Sequence, residues 1–293
     1  MKKNVLLVVN PISGDLDKAA IIEAVALFTE SQGNNFVLYE TTDNNDIFNI
    51  KQLYAKHVPE RVVIAGGDGT IKLVAEALEE EEVLFGILPA GSANGLATDL
   101  GLPNNIDDCL HIAFQDNCIA IDMVVINGKK SLHLSDIGLN AELIKNYQNS
   151  TVRGKLGYAL QAVSTLIERE DPFTATIEYS GKVMECEAGM IVIANSQKYG
   201  TGVVINPNGR MDDGKFELII LKNLDFVVLG KIITGNMPIE LENVEIIATD
   251  NARITTDRPV SFQIDGEYCG TQSMLDIKVS PFKMKVAIPL KEL

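Results

Sequence analysis

Four short segments of this 293-residue chain carry residue types suited to chemistry on phosphates. Gly66-Gly67-Asp68-Gly69-Thr70 follows the apolar, β-branched run Arg61 to Ala65, which predicts a strand. Beyond it, Ile71, Val74, Ala75 and Leu78 recur at helical spacing. Glycines at such a strand-to-helix turn let backbone N–H groups converge on an anion, and the helix adds partial positive charge. A phosphate is the expected guest. Asp68 would repel it unless a cation intervenes, and Mg²⁺ is the usual mediator for nucleotides. The alternative is a tight turn in which Asp68 only caps the helix beginning at Thr70.

The other segments extend the pattern. Asn10-Pro11-x-Ser13-Gly14 ends the first strand; it offers backbone and hydroxyl donors to a nucleotide phosphate, or is simply an Asn-Pro turn before a helix. Pro89-Ala-Gly91-Ser92-Ala-Asn94 ends another strand and supplies a second anion nest, with the Ser92 hydroxyl and Asn94 amide. Far down the chain, Asp265-Gly266-Glu267 places two carboxylates on a turn between strands. Either it is a hairpin with exposed acids, or one acid takes a proton from a hydroxyl. Proximity and partial burial would move such a carboxyl towards neutrality, as a base requires.

These residues need rigid elements to hold them. The first 125 residues alternate strand and helix: strands at 4–9, 35–39, 61–65, 84–88 and 119–126, helices at 19–29, 46–54, after Thr70 and after Gly91. Such alternation implies a parallel sheet with helices on both faces, whose ligands bind beyond the strands' carboxyl ends. All three glycine loops fall on that edge. After about residue 127 the chain changes to short alternating segments at 173–179, 182–187, 190–194, 216–221, 244–248, 260–264 and 275–279. That reads as a mainly antiparallel β-sandwich. The expected division is 1–126, 127–280, and a segment 281–293 that returns to the first domain. Helices are also expected at 155–167, where Leu156, Leu160, Val163 and Ile167 share a face, and within 224–235.

Composition excludes several classes. A net charge of −15 and a pI near 4.6 oppose binding to nucleic acid and broad adsorption to anionic membranes. Cys109, Cys118, Cys186 and Cys269 show no paired or zinc spacing, which fits reduced thiols in a cytoplasmic protein. His57, His111 and His133 form no ligand pattern. No secretory leader is expected at the N-terminus, and no apolar stretch reaches the ~18–20 residues that span a bilayer.

Taken together and in this order, the motifs resemble the diacylglycerol-kinase catalytic-domain family of soluble lipid kinases, which includes bacterial diacylglycerol kinases and the sphingosine and ceramide kinases. The family signature NPxSG, GGDGT, PxGSxN is matched by Asn10–Gly14, Gly66–Thr70 and Pro89–Asn94. A later N…GGG…P…DG pattern looks like Asn195 through Gly200, Gly202 and Pro207 to Asp213-Gly214, and a closing DGE is similar to Asp265–Glu267. The likeness covers essentially the whole chain. It implies an α/β nucleotide-binding domain like that of NAD kinase and phosphofructokinase, followed by a mainly antiparallel β-sandwich. It implies ATP against the three glycine loops, with Thr41 as a further contact, and a lipid head group entering between the domains. By the same resemblance Glu267 is the proton acceptor and Asp68 joins a carboxylate–water–Mg²⁺ network. A structural Mg²⁺ is implied at Asp213, with backbone oxygens from Arg210 and Lys215. Bacterial diacylglycerol kinases carry aspartate after the third loop's asparagine; this chain has Gly95, which is closer to sphingosine kinases.

The expected reaction is therefore ATP- and Mg²⁺-dependent transfer of the γ-phosphate to a lipid hydroxyl of diacylglycerol or a sphingoid base. Glu267 or Asp265 takes the proton. The protein is expected in the cytoplasm, in transient peripheral contact with a membrane, without a nucleic-acid partner. One rival is a soluble kinase of NAD kinase type, but the Thr-Gly-Ser-Thr-Ala-Tyr-like segment of those enzymes has no counterpart here. Another is a nucleotide-binding regulator without catalysis, against which stands the joint presence of Asp68, Glu267 and all three loops. Oligomeric state leaves no mark on the sequence.

Overall fold

An unbroken apolar run is stable as a strand only where both of its faces are covered. Strand β1 (Asn4–Val9) meets that condition, with Val5 to Val9 all buried. The computed structural model describes residues 2–92, 94–139, 141, 144–145, 172–198, 204–222 and 244–290. They fall into two units, Met1–Ile121 with Pro281–Leu293, and Asp122–Ser280. The helices expected at 155–167 and 224–235 and the glycines Gly200 and Gly202 lie outside the described residues.

The first unit is an α/β domain. Its sheet is parallel: β1 lies between β2 (Asn35–Glu40) and β3 (Arg61–Gly66), and β4 (Leu84–Pro89) follows β3. Lys285 and Val286, near the chain's end, add a further parallel pairing beside Leu84 and Phe85. Helix α1 (Lys18–Ser31) starts where the Asp17 carboxylate accepts the N–H of Ala19 at 2.9 Å, and it buries Ile21 and Val25. Helix α2 (Asp46–His57) buries Ile50. Helix α3 (Asp68–Ala77) opens two residues earlier than its apolar spacing predicts, with Gly67 as N-cap. After Gly91 two helices form where the sequence predicts one, α4 (Gly95–Asp99) and α5 (Ile106–Ala113). Gly101, at φ +70°, and Pro103 beyond it end the first and prevent continuation.

Strand β5 (Cys118–Ile126) runs from the first unit into the second. The second unit is mostly antiparallel, a β-sandwich made from β6 (Lys129–Ser131), β7 (Leu134–Gly138), β8 (Phe173–Tyr179), β9 (Lys182–Ala188), β10 (Met190–Ala194), β11 (Phe216–Leu221), β12 (Val244–Thr249), β13 (Asn251–Ile264) and β14 (Glu267–Ala287). The strand order is β12-β11-β10-β7-β13-β14, with β8 joining β13 to β9. Its core gathers Phe173, Ile191, Phe216, Leu218, Ile254, Phe262 and Leu275. Two strands are longer than their apolar segments suggest. In β13 a register shift between Thr255 and Val260 accommodates Pro259, so pairing continues on both sides of a residue that cannot donate. Strand β7 does not read as a strand, because Ser135 and Asp136 interrupt it; both are nevertheless fully buried.

Candidate active site

In the first unit the strand register brings four chain segments to one level. Val9 stands beside Glu40 and Ala65, and Gly66 beside Pro89. The first residues past those ends are tied to the neighbouring strand: Thr41 N–H to Val9 O at 2.9 Å, Asn10 N–H to Ala65 O at 3.0 Å, Ala90 N–H to Gly66 O at 2.9 Å. Along the sheet's carboxyl edge the order is thus Ala90-Gly91, Gly66-Gly67, Asn10, Thr41.

The three glycine loops pack backbone against backbone. A Cβ on Gly91 would lie 2.3 Å from Gly67 Cα, and one on Gly14 would lie 2.6 Å from Ala90 O. Neither position admits a side chain without moving a neighbouring main chain. Gly66 is similarly crowded by the buried Thr70, whose Oγ1 would be 2.4 Å from an added Cβ. Gly69 is exposed in the first turn of α3. Pro11 and Ser92 are exposed at the loop tips, while Thr41 is buried. Such a main-chain cradle, which a Cβ would fill, fits the phosphates of a nucleotide.

Polar side chains hold the loops to each other. Ser13 Oγ lies 3.0 Å from Asn10 O and 3.2 Å from Ala90 O, linking the first loop to the third. Asn10 Oδ1 accepts the Ile12 N–H at 3.1 Å. Asn94, left-handed at φ +53°, closes its loop on Gly91, accepting its N–H and donating to its oxygen, each at 2.9 Å. The amides of Asn10 and Asn94 therefore shape their loops.

Asp68 occupies a place the sequence does not reveal. Its carboxylate accepts Gly95 N–H at 2.8 Å and Leu96 N–H at 2.9 Å, so it caps α4 and not its own helix. Each oxygen takes one of these bonds and keeps a second lone pair, which fits a water on a hydrated Mg²⁺. Gly95 in turn lies directly against Asp68, so an acid at position 95 would bring a second carboxylate into the same neighbourhood.

Two supporting residues escape sequence reasoning. Lys18 is buried and its ammonium bonds Ser13 O and, at 3.0 Å, Leu16 O, pinning the first loop; burial lowers its pKa, partly offset by Asp15 and Asp17. Asp46 is buried at the start of α2, accepting the Tyr39 hydroxyl at 2.6 Å and the N–H groups of Thr42 and Asp43 at 3.0 and 2.9 Å. A charged residue beside a glycine loop is a weak signal for the first. For the second, an acid in the first turn of a helix is an equally weak signal.

In the second unit, Asp265 opens the two-residue turn from β13 to β14, and Glu267 is the first residue past it. Their environments differ sharply. The Asp265 carboxylate accepts Ser131 Oγ–H at 2.8 Å, His133 N–H at 3.0 Å and Leu132 N–H at 3.1 Å, which ties the turn to the β6–β7 connection. Glu267 is exposed as the first residue of β14. Three donors on the Asp265 carboxylate engage it in holding the turn.

The segment from Arg210 to Lys215 precedes β11. Asp213 Oδ1 accepts Lys215 N–H at 3.1 Å, and Arg210 pairs with Asp212 at 3.1 Å. The buried Asp122 straps this segment from both sides: its N–H donates to Met211 O at 2.6 Å and its carboxylate accepts Gly214 N–H at 2.7 Å. Below it, Asn206 bonds Glu217 at 2.6 Å; burial raises the Glu217 pKa, which that bond partly offsets. Among the described residues no group of three or more His, Cys, Asp and Glu stands together as a metal cluster. The exposed Asp213 and the turn's backbone oxygens are hard ligands, and fit a Mg²⁺ that keeps several of its waters. No helix among the described residues is long and apolar enough to cross a membrane.

Comparison with known proteins places these two units. Residues 4–126 match the Diacylglycerol kinase catalytic domain, and residues 135–288 match the YegS C-terminal NAD kinase beta sandwich-like domain. The chain is 26% identical to the Diacylglycerol kinase of Bacillus subtilis over 281 residues, covering 92% of this chain and 91% of that protein. It is 24% identical to the Diacylglycerol kinase of Staphylococcus carnosus over 279 residues, covering 92% and 90%. In fold it is similar to the crystal structure of a diacylglycerol kinase from Bacillus anthracis, with a TM-score of 0.74 at 19% identity over 98% of this chain and 97% of that one. The chain belongs to the bacterial lipid kinase family built from these two domains, whose members carry phosphate from ATP, with Mg²⁺, to a lipid hydroxyl.

Proposed function

We propose that this lipid kinase holds the ATP phosphates on the main-chain edge formed by Ser13-Gly14, Gly66 to Thr70 and Gly91-Ser92. The carrying observation is the Gly67–Gly91 approach, which leaves no room for side chains between the loops. Because Asn10, Ser13 and Asn94 are engaged in loop geometry, backbone N–H groups supply most of the phosphate donors. Thr41 stands at the far end of the row, where the ribose and base lie.

Phosphoryl transfer asks the protein mainly to align an incoming hydroxyl and to neutralise phosphate charge. Mg²⁺, when bound, supplies part of that neutralisation; Asp68 would hold one ion through water, and Asp213, with backbone oxygens of Arg210 and Lys215, a structural one. Glu267 accepts the proton of the lipid hydroxyl, while Asp265 anchors the turn that carries it. Diacylglycerol is the substrate favoured by the names of two full-length relatives. A sphingoid base is the second reading, favoured by Gly95 where the diacylglycerol kinases carry aspartate. Contact with the membrane is transient.

Purified protein incubated with labelled ATP, Mg²⁺ and mixed micelles of diacylglycerol or sphingosine, with NAD as a soluble competitor, tests this. Label is expected in diacylglycerol. Label in sphingosine alone selects the second reading, and label in NAD or in no acceptor overturns both.

A further inference from the structure

Behind the Asp265–Glu267 turn runs a line of buried polar groups that phosphate binding does not use. Asp136 on β7 is fully buried, and Gln263 on β13 is 1% exposed. Gln263 Nε2 donates to Asp136 Oδ2 at 2.6 Å, while Gln263 Oε1 accepts the Gly266 N–H at 2.7 Å. A carboxylate only accepts and an N–H only donates, so the amide has one orientation in which both bonds form. The turn it serves is left-handed at two successive residues, Asp265 at φ +49° and Gly266 at φ +85°. Two-residue hairpins of that kind fix how the following strand departs, and here its first residue is Glu267.

A buried carboxylate is a poor source of stability, because desolvation opposes its attraction to any partner. Orientation is the better account of its presence. We propose that Asp136 and Gln263 are positioning residues for Glu267. Asp136 fixes the Gln263 amide, the amide fixes Gly266, and Gly266 sets where the Glu267 carboxylate stands. From the other side, Asp265 is held by Ser131, whose hydroxyl also accepts a 2.9 Å bond from Ser135 Oγ. Neither Asp136 nor Gln263 touches substrate. The inference rests on Glu267 being the base.

The test compares Gln263→Glu, Gln263→Met, the double variant Asp136→Asn/Gln263→Glu, and Glu267→Gln. Gln263→Glu sets two carboxylates against each other, and Gln263→Met keeps the volume but removes both bonds. The double variant restores a donor facing an acceptor, with the roles exchanged. Both single changes at Gln263 should lower kcat by about tenfold to a hundredfold, the cost of a misplaced catalytic group. KM for ATP, and ATP affinity by calorimetry, should stay within about twofold, since nothing of nucleotide binding is removed. The double variant should regain most of the lost kcat. If Gln263→Glu does not fold, Gln263→Met with thermal melting carries the comparison. Wild-type kcat in Gln263→Met beside an inactive Glu267→Gln overturns the positioning role alone. So does a kcat loss that the double variant fails to restore at a wild-type melting temperature. An active Glu267→Gln removes the base itself, and this inference with it.

Discussion

Asp68 caps α4 and is also the residue proposed to hold a hydrated Mg²⁺, so a change there has two readouts. Asp68→Asn has only one oxygen to offer, and either Gly95 or Leu96 then faces an amide donor. The expected loss is about 1–3 kcal/mol of stability, as for any buried donor left unsatisfied, together with loss of phosphoryl transfer. Melting and kcat measured on the same preparation separate the roles: a lowered melting temperature with retained kcat leaves Asp68 as a cap only. Gly91→Ala is the sharper probe of the cradle. Its methyl would stand 2.3 Å from Gly67 Cα, so the second and third loops must part. ATP affinity should fall by about tenfold or more, given that a steric shift of this size costs 1–3 kcal/mol. Calorimetry showing wild-type affinity would mean the phosphates lie elsewhere.

At the scale of elements, the turns after strands carry the proposed site, and buried acids hold those turns. Burial alone would raise the Asp46 carboxyl, but bonds from Tyr39, Thr42 and Asp43 outweigh it and hold the pKa below the ordinary 3.8. A carboxyl lowered in the folded state stabilises the fold above its unfolded pKa and loses that contribution as pH falls through the folded one. Asp46→Ala should therefore cost about 1–3 kcal/mol at neutral pH, and its melting temperature should fall less than the wild type's between pH 4 and pH 2. Parallel acid limbs in the two proteins would show that Asp46 contributes no such linkage. The Arg210 to Lys215 segment invites a metal test. If Asp213 binds a structural Mg²⁺, the ion stabilises the folded form by mass action, and Asp213→Ala should blunt the rise in melting temperature on adding Mg²⁺. An equal rise in both proteins reduces Asp213 to a turn former.

Across the whole molecule, the net charge of −15 sets the terms of meeting a lipid surface. Overall repulsion from anionic lipid extends about 10 Å at 0.1 M salt and shrinks as ionic strength rises. Association with anionic vesicles, read by sedimentation, should therefore hold or strengthen as salt increases. Weakening with salt would point to a basic docking patch that the net charge conceals. The Arg61 guanidinium gives no such patch. It is buried, bonding the carbonyls of Ala113 and Gln115 at 2.6 and 2.9 Å at the end of α5.

Local sequence signals account for the elements and for the sheet edge that carries the glycine loops. The runs Val5 to Val9 and Arg61 to Ala65 are strands because β-branched apolar residues suit a sheet covered on both faces. The loops after them hold glycine at the turns, and the switch to alternating short segments marked the second unit. These signals are local, each written within a few residues. That Asp68 caps a helix beginning 27 residues later, and that Gly67 meets Gly91, emerges only from the folded chain. Folding also separates Asp265, enclosed by Ser131, Leu132 and His133, from the exposed Glu267 two residues on. Ser135 and Asp136 carry no strand signal, yet they lie buried in β7, where Ser135 bonds Ser131 and Asp136 accepts from Gln263. Bonds such as the last join residues far apart in the chain, and they exist only after the strand order has brought both partners together.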